Sequence, residues 1–271
     1  MKKFNRVFTA LVFLFLYIPM IVLAVASFNT GNDIAVFKGF TFGQYGELFR
    51  DRGLLSLVAN SAIIAIFSSL VATVLGTMAA VGLRNAKGRL RKTVMSLTNI
   101  PMTNPDIVTG VSLALLFAFA GTMLKRNNIL GFGTLLIAHI TFNLPYVILS
   151  VLPKLAQMDT ELEDAALDLG CTPIQAFFKV TLPDIMPGVV SGFMMAFTMS
   201  LDDFVISYFV TGSSFITLPV EIYNYIKKPI HPKIYALFTL MFLTILVLMV
   251  IMNLMQARDE NRKLKKRGIR Q

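Results

Sequence analysis

The sequence is poor in charge and in cysteine. Only 15% of its 271 residues are charged, whereas 55% are apolar, and the mean hydropathy is +0.69. Soluble domains carry about 25% charged residues. This composition excludes a disordered tail, a disulfide-rich secreted scaffold and most soluble enzymes. The single cysteine, Cys171, cannot form an internal disulfide.

Motifs for chemistry are missing as well. The sequence has no Gly-x-x-x-x-Gly-Lys-Ser/Thr loop, so energy must come from a partner protein or from an ion gradient. It has neither zinc-ligand spacing nor a supported Ser/His/Asp arrangement, and His231 lies in a predicted loop. A lone histidine in an apolar run, such as His139, is usually an interhelical hydrogen-bond partner, so we assign it no role. We expect a protein that is not an enzyme and that binds no cofactor or metal itself.

Six long apolar runs are present instead, and none contains lysine or arginine. Each exceeds the roughly 18 residues that mark a candidate membrane span, and alternating segments of a β-barrel are absent. We therefore predict an all-α polytopic membrane protein with six transmembrane helices. The first run is longer than the apolar core of a signal peptide, which favours an uncleaved anchor. The runs cover residues 8–28, 57–83, 94–124, 130–152, 185–210 and 234–256.

The basic residues predict the orientation of these spans. With the N-terminus inside, segments 1–7, 84–93, 153–184 and 257–271 are cytosolic and hold 17 of the 25 lysines and arginines. The positive-inside rule then places both termini in the cytosol. The C-terminal tail 257–271 holds seven of these basic residues, and we interpret it as an anchor against anionic lipid rather than a nucleic-acid site.

Three acids, Asp106, Asp202 and Asp203, lie within the predicted spans without a basic partner in any span. A charged side chain near the bilayer centre costs about 2.5–3.5 kcal/mol even on insertion scales. Three explanations compete: the acids are protonated, they meet a basic residue of another subunit, or they face a hydrated path for cations. We favour the cation path, because a negative path favours a cationic substrate.

The neighbours of these acids support that interpretation. Pro101 and Pro105 precede Asp106 and predict a broken helix, a frequent site feature in transporters. Phe204 and Tyr208 follow Asp202 and Asp203 in the sequence and are spaced i,i+4 from each other, on one helical face. Aromatic faces beside carboxylates hold alkylammonium groups by cation–π attraction. The alternative is that both rings only pack within the bundle.

The predicted cytosolic loop 153–184 contains a short amphipathic helix. Asp159-Thr160 and Glu163 form a capping-box pattern, Gly170 suits the end of the helix, and Thr172-Pro173 begins a second short helix. Four acids in 161–168 argue against an anionic membrane surface and favour a groove in a partner protein over an interfacial position on lipid. The apolar stripe consists of Leu162, Ala165, Ala166 and Leu169.

These residues resemble a family. Asp164-Ala165-Ala166 with Gly170, followed by Val180-Thr181-Leu182-Pro183, is similar to the EAA loop of binding-protein-dependent ABC importer permeases. Asp164 replaces the family glutamate and Glu163 lies one position earlier, so either carboxylate can do that glutamate's work. The resemblance implies a type I ABC importer permease fold whose loop docks on an ATP-hydrolysing subunit. The implied coupling residues are Glu163, Asp164, Ala165, Ala166, Leu169, Gly170, Leu182 and Pro183.

A narrower resemblance covers the chain from Tyr17 to Asp259. Segments 105–108, 139–142 and 200–212 are similar to PotC-type permeases of spermidine/putrescine importers. This implies polyamine import in a prokaryotic inner or plasma membrane, with ATP and magnesium bound by the partner ATPase. The implied partners are a second homologous permease, two ATPase subunits and a soluble polyamine-binding protein, for which the outer loop 211–233 is a candidate contact surface.

Two other functions remain open at this point. The first is a permease for another small organic solute. The second is an ion-coupled secondary transporter whose acids bind protons or sodium. The second would not need a docking helix. The predicted parts of the chain are the anchor span and outer loop 1–56, the permease core 57–256 and the basic tail 257–271, and the predicted substrate path consists of Asp106, Asp202, Asp203, Phe204 and Tyr208.

Overall fold

The structure, a computed structural model, describes residues 2–31, 36–84, 86–126, 129–159, 161–226 and 231–266. Within these ranges the regular elements are helices joined by turns and loops, together with an isolated β-bridge between Asn29 and Phe40. The helices, in chain order, are α1 (Lys2–Ala26), α2 (Gly43–Arg50), α3 (Arg52–Arg84), α4 (Gly88–Thr103), α5 (Asp106–Met123), α6 (Phe132–Gln157), α7 (Glu161–Asp168), α8 (Pro173–Ala176), a π-helical turn (Phe177–Thr181), α9 (Leu182–Leu201), α10 (Val205–Val210), α11 (Leu218–Ile226) and α12 (Pro232–Lys266).

Five helical stretches in the described ranges are long and apolar enough to cross a membrane. They are Arg6–Ala26, Arg52–Arg84, Asp106–Met123, Phe132–Gln157 and Pro173–Leu201. The sixth predicted span lies in α12, whose described apolar part, Pro232–Val247, is shorter. The predicted all-α fold is therefore observed, with each predicted run on a helical segment.

The third predicted run, 94–124, is not one continuous helix. Helix α4 ends at Thr103, Asn104 is extended with ψ 142°, and α5 begins at Asp106. A residue before proline is driven out of the helical region, which explains the break at Asn104-Pro105. The prediction of a broken helix here is confirmed, whereas treating 94–124 as a single span was wrong, because only Asp106–Met123 qualifies.

The fifth predicted run, 185–210, is also interrupted. Helix α9 ends at Leu201, Asp202 has φ −103° and ψ 3°, and α10 begins at Val205. Asp202 and Asp203 therefore lie in a break between two helices, not on a continuous helix. No proline or glycine marks this break in the sequence.

The chain divides into two compact units, the first formed by 1–56 with 224–271 and the second by 57–223. In the first unit α1 and α2 pack against α12. Lys233 Nζ donates a hydrogen bond to Asp51 Oδ2 at 2.8 Å. This bond holds the pKa of Asp51 below its ordinary value. Exposed apolar side chains cover α1, as expected for a helix in contact with lipid.

In the second unit α6 packs closely against α3 and α9. A β-carbon at Gly76 would lie 2.7 Å from Val147 Cγ1, and one at Gly188 would lie 2.8 Å from Lys154 Cγ. Small residues at such positions let membrane helices approach each other, so that dispersion contacts hold them together. This packing places α6 at the centre of the unit, where it reaches the α9–α10 break.

Candidate functional site

The α9–α10 break is organised by Asp203. Its Oδ2 accepts a hydrogen bond from the backbone N–H of Ser207 at 2.7 Å, and its Oδ1 accepts one from Ile206 N at 3.3 Å. A carboxylate before the first turn of a helix satisfies backbone donors that have no partner inside the helix. Asp203 therefore caps α10.

A second partner of Asp203 comes from α6. His139 Nε2 lies 3.4 Å from Asp203 Oδ2 and 3.0 Å from Ser207 Oγ, and His139 Nδ1 lies 2.5 Å from Ser200 Oγ. Ser200 Oγ is in turn 2.9 Å from Ser68 Oγ on α3. The four non-acidic side chains are buried. This polar network joins α3, α6, α9 and α10 at one level of the unit.

The two adjacent acids thus have different surroundings. The side chain of Asp203 is only 7% exposed, and its oxygens are bound within the chain, whereas Asp202 is exposed. A buried carboxylate is stable only when hydrogen bonds and charges satisfy it, which is what His139, Ser207 and Ile206 provide. Asp202 is the member of the pair that faces outward from the protein interior.

Three aromatic rings, two of them just after this break and the third on α11, lie in one cluster. The centroid of Phe204 is 4.7 Å from that of Tyr223 and 5.5 Å from that of Tyr208, and the two tyrosines are 5.9 Å apart. Tyr208 is 47% exposed and Tyr223 is 38% exposed, so part of each ring surface is open. Tyr223 comes from α11, within the segment expected to form an outer loop. Tyr223 is not among the residues predicted for the substrate path.

Asp106 is the first residue of α5 and is exposed. One turn later, a β-carbon at Gly110 would lie 3.0 Å from Phe209 Cδ2 and 3.4 Å from Ile206 Cα, so α5 lies directly against α10. Residues four apart on a helix share a face, about 6 Å apart along its axis. Asp106 is therefore within about one turn of the contact with α10, near the break that contains Asp202.

Other buried polar residues were missed from the sequence. Asn143 is fully buried, and neither atom of its amide has a hydrogen-bond partner within the described part of the chain. Single Ser, Thr and Asn residues in apolar runs form no pattern of their own. The i,i+4 spacing of His139 and Asn143 was the available signal, because residues four apart lie on one face of a helix.

The end of α7 has the predicted conformation. Gly170 has φ +85°. Its N–H donates a hydrogen bond to Leu167 O at 2.9 Å, and the N–H of Cys171 donates one to Ala166 O at 3.0 Å. These two bonds define a Schellman motif, which favours glycine at the left-handed position. A β-carbon at Gly170 would meet no atom of this chain within 4 Å. The space on this side of Gly170 is therefore free of other atoms of the described chain.

The other predicted caps are partly observed. Thr172 Oγ1 accepts from Gln175 N at 3.3 Å, and Gln175 Oε1 accepts from Thr172 N at 3.1 Å, which confirms the start of α8. At α7, Asp159 Oδ1 accepts from Glu161 N at 3.0 Å. The predicted cap at Thr160 lies outside the described residues. Glu163, its expected capping-box partner, instead forms an ion pair with Arg84 at 2.5 Å.

The predicted apolar stripe of α7 is largely uncovered in this chain. Leu169 is 87% exposed and Leu162 is 53% exposed, Ala165 is also exposed, and Ala166 is buried. Asp164 is exposed, whereas Glu163 is half-buried beside Arg84. Leu182 and Pro183 begin α9, with Leu182 half-buried and Pro183 exposed. Most of the coupling residues thus lie on α7 or at its end, and this short helix has an exposed apolar face.

Comparison with known proteins assigns the family. The model of the binding-protein-dependent transport system inner membrane component matches residues 72–264, well over half of the chain. The chain belongs to this family. The match includes the α7 loop and the α9–α10 break, so the predicted resemblance to binding-protein-dependent permeases is confirmed.

Relatives of this family member cover nearly its whole length. The putrescine transport system permease protein PotI of Escherichia coli (strain K12) is 38% identical over 254 residues, which are 93% of this chain and 90% of PotI. The spermidine/putrescine transport system permease protein PotC of the same strain is 38% identical over 255 residues, 94% of each chain. A PotC homolog of Mycoplasma pneumoniae (strain ATCC 29342 / M129 / Subtype 1) is 34% identical over 246 residues, 87% of this chain and 84% of the homolog.

Solved structures support the fold of this permease. A chain of a bacterial ABC transporter involved in the import of alginate superposes with a TM-score of 0.69 at 13% identity, covering 94% of this chain and 95% of that one. A chain of the inward-facing MetNI methionine ABC transporter gives 0.51 at 20% identity, covering 86% and 100%. The type I ABC importer permease fold is therefore confirmed.

Proposed function

We propose that this permease moves polyamines of the spermidine and putrescine class into the cytosol, with ATP hydrolysed on a separate subunit. The observation that carries the proposal is exposed Asp202 two residues before Phe204, whose ring lies in one cluster with the partly exposed rings of Tyr208 and Tyr223. Alkylammonium groups bind carboxylates through charge-assisted hydrogen bonds and bind aromatic faces through cation–π attraction. Two relatives, PotI and PotC of Escherichia coli, are named for putrescine and for spermidine/putrescine transport, which supports the same substrate class here.

The arrangement of charge in the spans supports a cationic substrate over an anionic one. Asp106 adds a second exposed carboxylate within about one turn of the α5–α10 contact. The six apolar runs contribute no lysine or arginine to offset these acids. A partly dehydrated path with negative side chains lowers the free energy of a cation more than that of a neutral solute.

The proposed assembly follows from the family and from α7. The sequence has no phosphate-binding loop, and the exposed side of α7 with Leu162 and Leu169 is suited to a groove in an ATPase subunit. Two ATPase subunits, carrying ATP and magnesium, a second homologous permease and a soluble polyamine-binding protein complete the importer. The permease lies in the inner or plasma membrane of a prokaryote with both termini in the cytosol, and the apolar surface of α1 contacts lipid.

The test is uptake by the complete importer. The permease, its partner permease, the ATPase and the binding protein are purified together and reconstituted in vesicles, and uptake of labelled putrescine and spermidine is measured with and without ATP. We expect uptake that needs ATP and the binding protein and that is insensitive to a protonophore or a sodium ionophore.

Three other outcomes would contradict the proposal in different ways. ATP-dependent uptake of a different small organic solute, with no competition by polyamines, would retain the importer and reject the substrate. Uptake that is abolished by an ionophore and independent of ATP would assign an ion-coupled carrier. Transport by the purified chain alone would reject the proposed assembly.

A further inference from the structure

The inference begins with the Arg84–Glu163 ion pair. Arg84 Nη2 lies 2.5 Å from Glu163 Oε2, and the two side chains are 21% and 27% exposed. Within the part of the chain that the structure describes, this is the only ion pair that α7 forms. A half-buried, charge-assisted bond is stronger than an ion pair on an open surface, because less water competes for the charges.

The two residues lie at mechanically distinct positions. Arg84 is the last residue of α3, a helix of 33 residues, and Glu163 lies in the first turn of α7. The two side chains, together with Phe177, Phe178 and Thr181, line an open cleft of about 320 Å³. The Arg84–Glu163 bond therefore joins the first turn of α7 directly to the end of α3.

Helix α7 has a separate connection to α9. Residues Pro173–Leu201 form one helical stretch of 29 residues that includes the π-helical turn Phe177–Thr181. π-Helical turns interrupt the regular hydrogen-bond pattern and are frequent at functional sites. A movement of α7 is thus transmitted to α9 through the continuous backbone. It is transmitted to α3 through the Arg84–Glu163 ion pair.

Helix α3 also contacts the α9–α10 break. Its Ser68 is hydrogen-bonded to Ser200, which is bonded to His139 next to Asp203. A rigid helix fastened at both levels transmits displacement along its axis. The two routes, through α9 and through α3, therefore end at the same break, where Asp202 is exposed.

We propose that Arg84 and Glu163 are positioning residues that couple α7 to α3, so that ATP-driven movement of α7 changes the α9–α10 break. The proposal rests on the proposed function as an ATP-driven importer. It assigns the two neighbouring acids different tasks. Glu163 is held within the chain by Arg84, and exposed Asp164, aligned with the family glutamate, is left to contact the ATPase.

The test separates coupling from assembly. In vesicles containing the complete importer, we measure substrate uptake and ATP hydrolysis per complex for Arg84→Glu, Glu163→Arg and the double exchange. We expect both single variants to assemble and to hydrolyse ATP, but to lower the ratio of uptake to ATP hydrolysed at least about tenfold, as expected for loss of a charge-assisted bond. The double exchange restores the ratio, because it restores the attraction.

Matched controls use neighbouring charges. Lys87→Gln removes an exposed charge just after α3, and Glu161→Gln removes an exposed acid from the same turn as Glu163. Both should leave the ratio unchanged. Asp164→Asn should instead reduce the amount of ATPase that copurifies, with Arg84–Glu163 intact.

Several results would overturn the proposal. They are an unchanged ratio in the single variants, a double exchange that restores nothing, or single variants in which uptake and hydrolysis fall in equal proportion. Wild-type importer measured in parallel decides the proposed function separately. If it takes up another solute instead of polyamines, the substrate proposal fails, and the same ratio measured with that solute still tests the ion pair.

Discussion

His139 on α6 lies 3.4 Å from Asp203, which follows the end of α9 and caps α10. These residues are distant in sequence, and both are nearly excluded from solvent, with side chains 2% and 7% exposed. The contact lies where the fifth predicted span is interrupted. It also distinguishes a structural acid, Asp203, from its exposed neighbour Asp202.

Asp203→Asn should destabilise the protein. Asparagine can accept from one of the two capped N–H groups, but it loses the second and the charge that faces His139. We expect a loss of about 1–3 kcal/mol in stability, seen as a lower melting temperature and less protein in the membrane. His139→Leu should have a similar effect. A fully stable Asp203→Asn protein would contradict the capping role.

Asp202→Asn and Asp106→Asn should instead reduce transport with little change in stability, because both side chains are exposed. Loss of a charge-assisted contact corresponds to roughly ten- to a hundredfold slower uptake if the site limits the rate. The effect should be larger for spermidine, with three charges, than for putrescine, with two. The measurement is labelled polyamine uptake per assembled complex. Unchanged uptake in both variants would remove these acids from the mechanism.

Tyr223→Ala should weaken transport through loss of one ring from the three-ring cluster. A cation–π contact contributes about 0.5–2 kcal/mol, so we expect roughly a two- to thirtyfold increase in the polyamine concentration at half-maximal uptake. Tyr223→Phe keeps the ring and should retain most activity. Tyr225→Ala, on the same helix but outside the cluster, is the control. Equal losses in both alanine variants would point to damage of α11 instead.

Gly170→Asp should impair ATP-driven transport while the protein still inserts in the membrane. The position has φ +85°, where an L side chain costs about 1–2 kcal/mol, and the new carboxylate would project into open space beside the exposed face of α7. Gly170→Asn is the matched control, since it has the same shape without the charge. Normal ATP-driven uptake by the aspartate variant would exclude α7 as the docking helix.

The Asp51–Lys233 bond predicts a dependence on pH in the first unit. Lys233 lowers the pKa of Asp51, so the carboxylate binds its proton less readily in the folded than in the unfolded chain. The resulting stability is present above the unfolded pKa of about 4 and is lost as pH falls through the lower folded pKa. Each side chain is 28% exposed, so the effect should be at most about 1 kcal/mol.

Melting temperatures from pH 7 to pH 3 measure this effect. Asp51→Asn should be less stable than the wild type at pH 7, and the difference should shrink in acid. A difference that is constant with pH would show that the bond does not depend on the charge of Asp51.

Local sequence alone determined the class of this protein and the form of its α7 loop. The six apolar runs predicted membrane helices because hydropathy is a property of each segment by itself. Gly170 and Thr172 predicted the end of α7 and the start of α8, because these caps involve bonds between residues only a few positions apart. Pro105 likewise marked the break before α5 through its restriction of Asn104.

The tertiary structure decided which polar residues satisfy one another. No proline or glycine marks the break at Asp202, and only the fold brings Asp203 next to His139 of α6. Tyr223 of α11 lies beside Phe204 although the two are far apart in sequence, and Glu163 pairs with Arg84 rather than capping α7. Such partners depend on the register between helices, set by close approaches such as Gly76 against Val147. Segment hydropathy contains no information about that register, because it sums over residues without regard to what each side chain contacts.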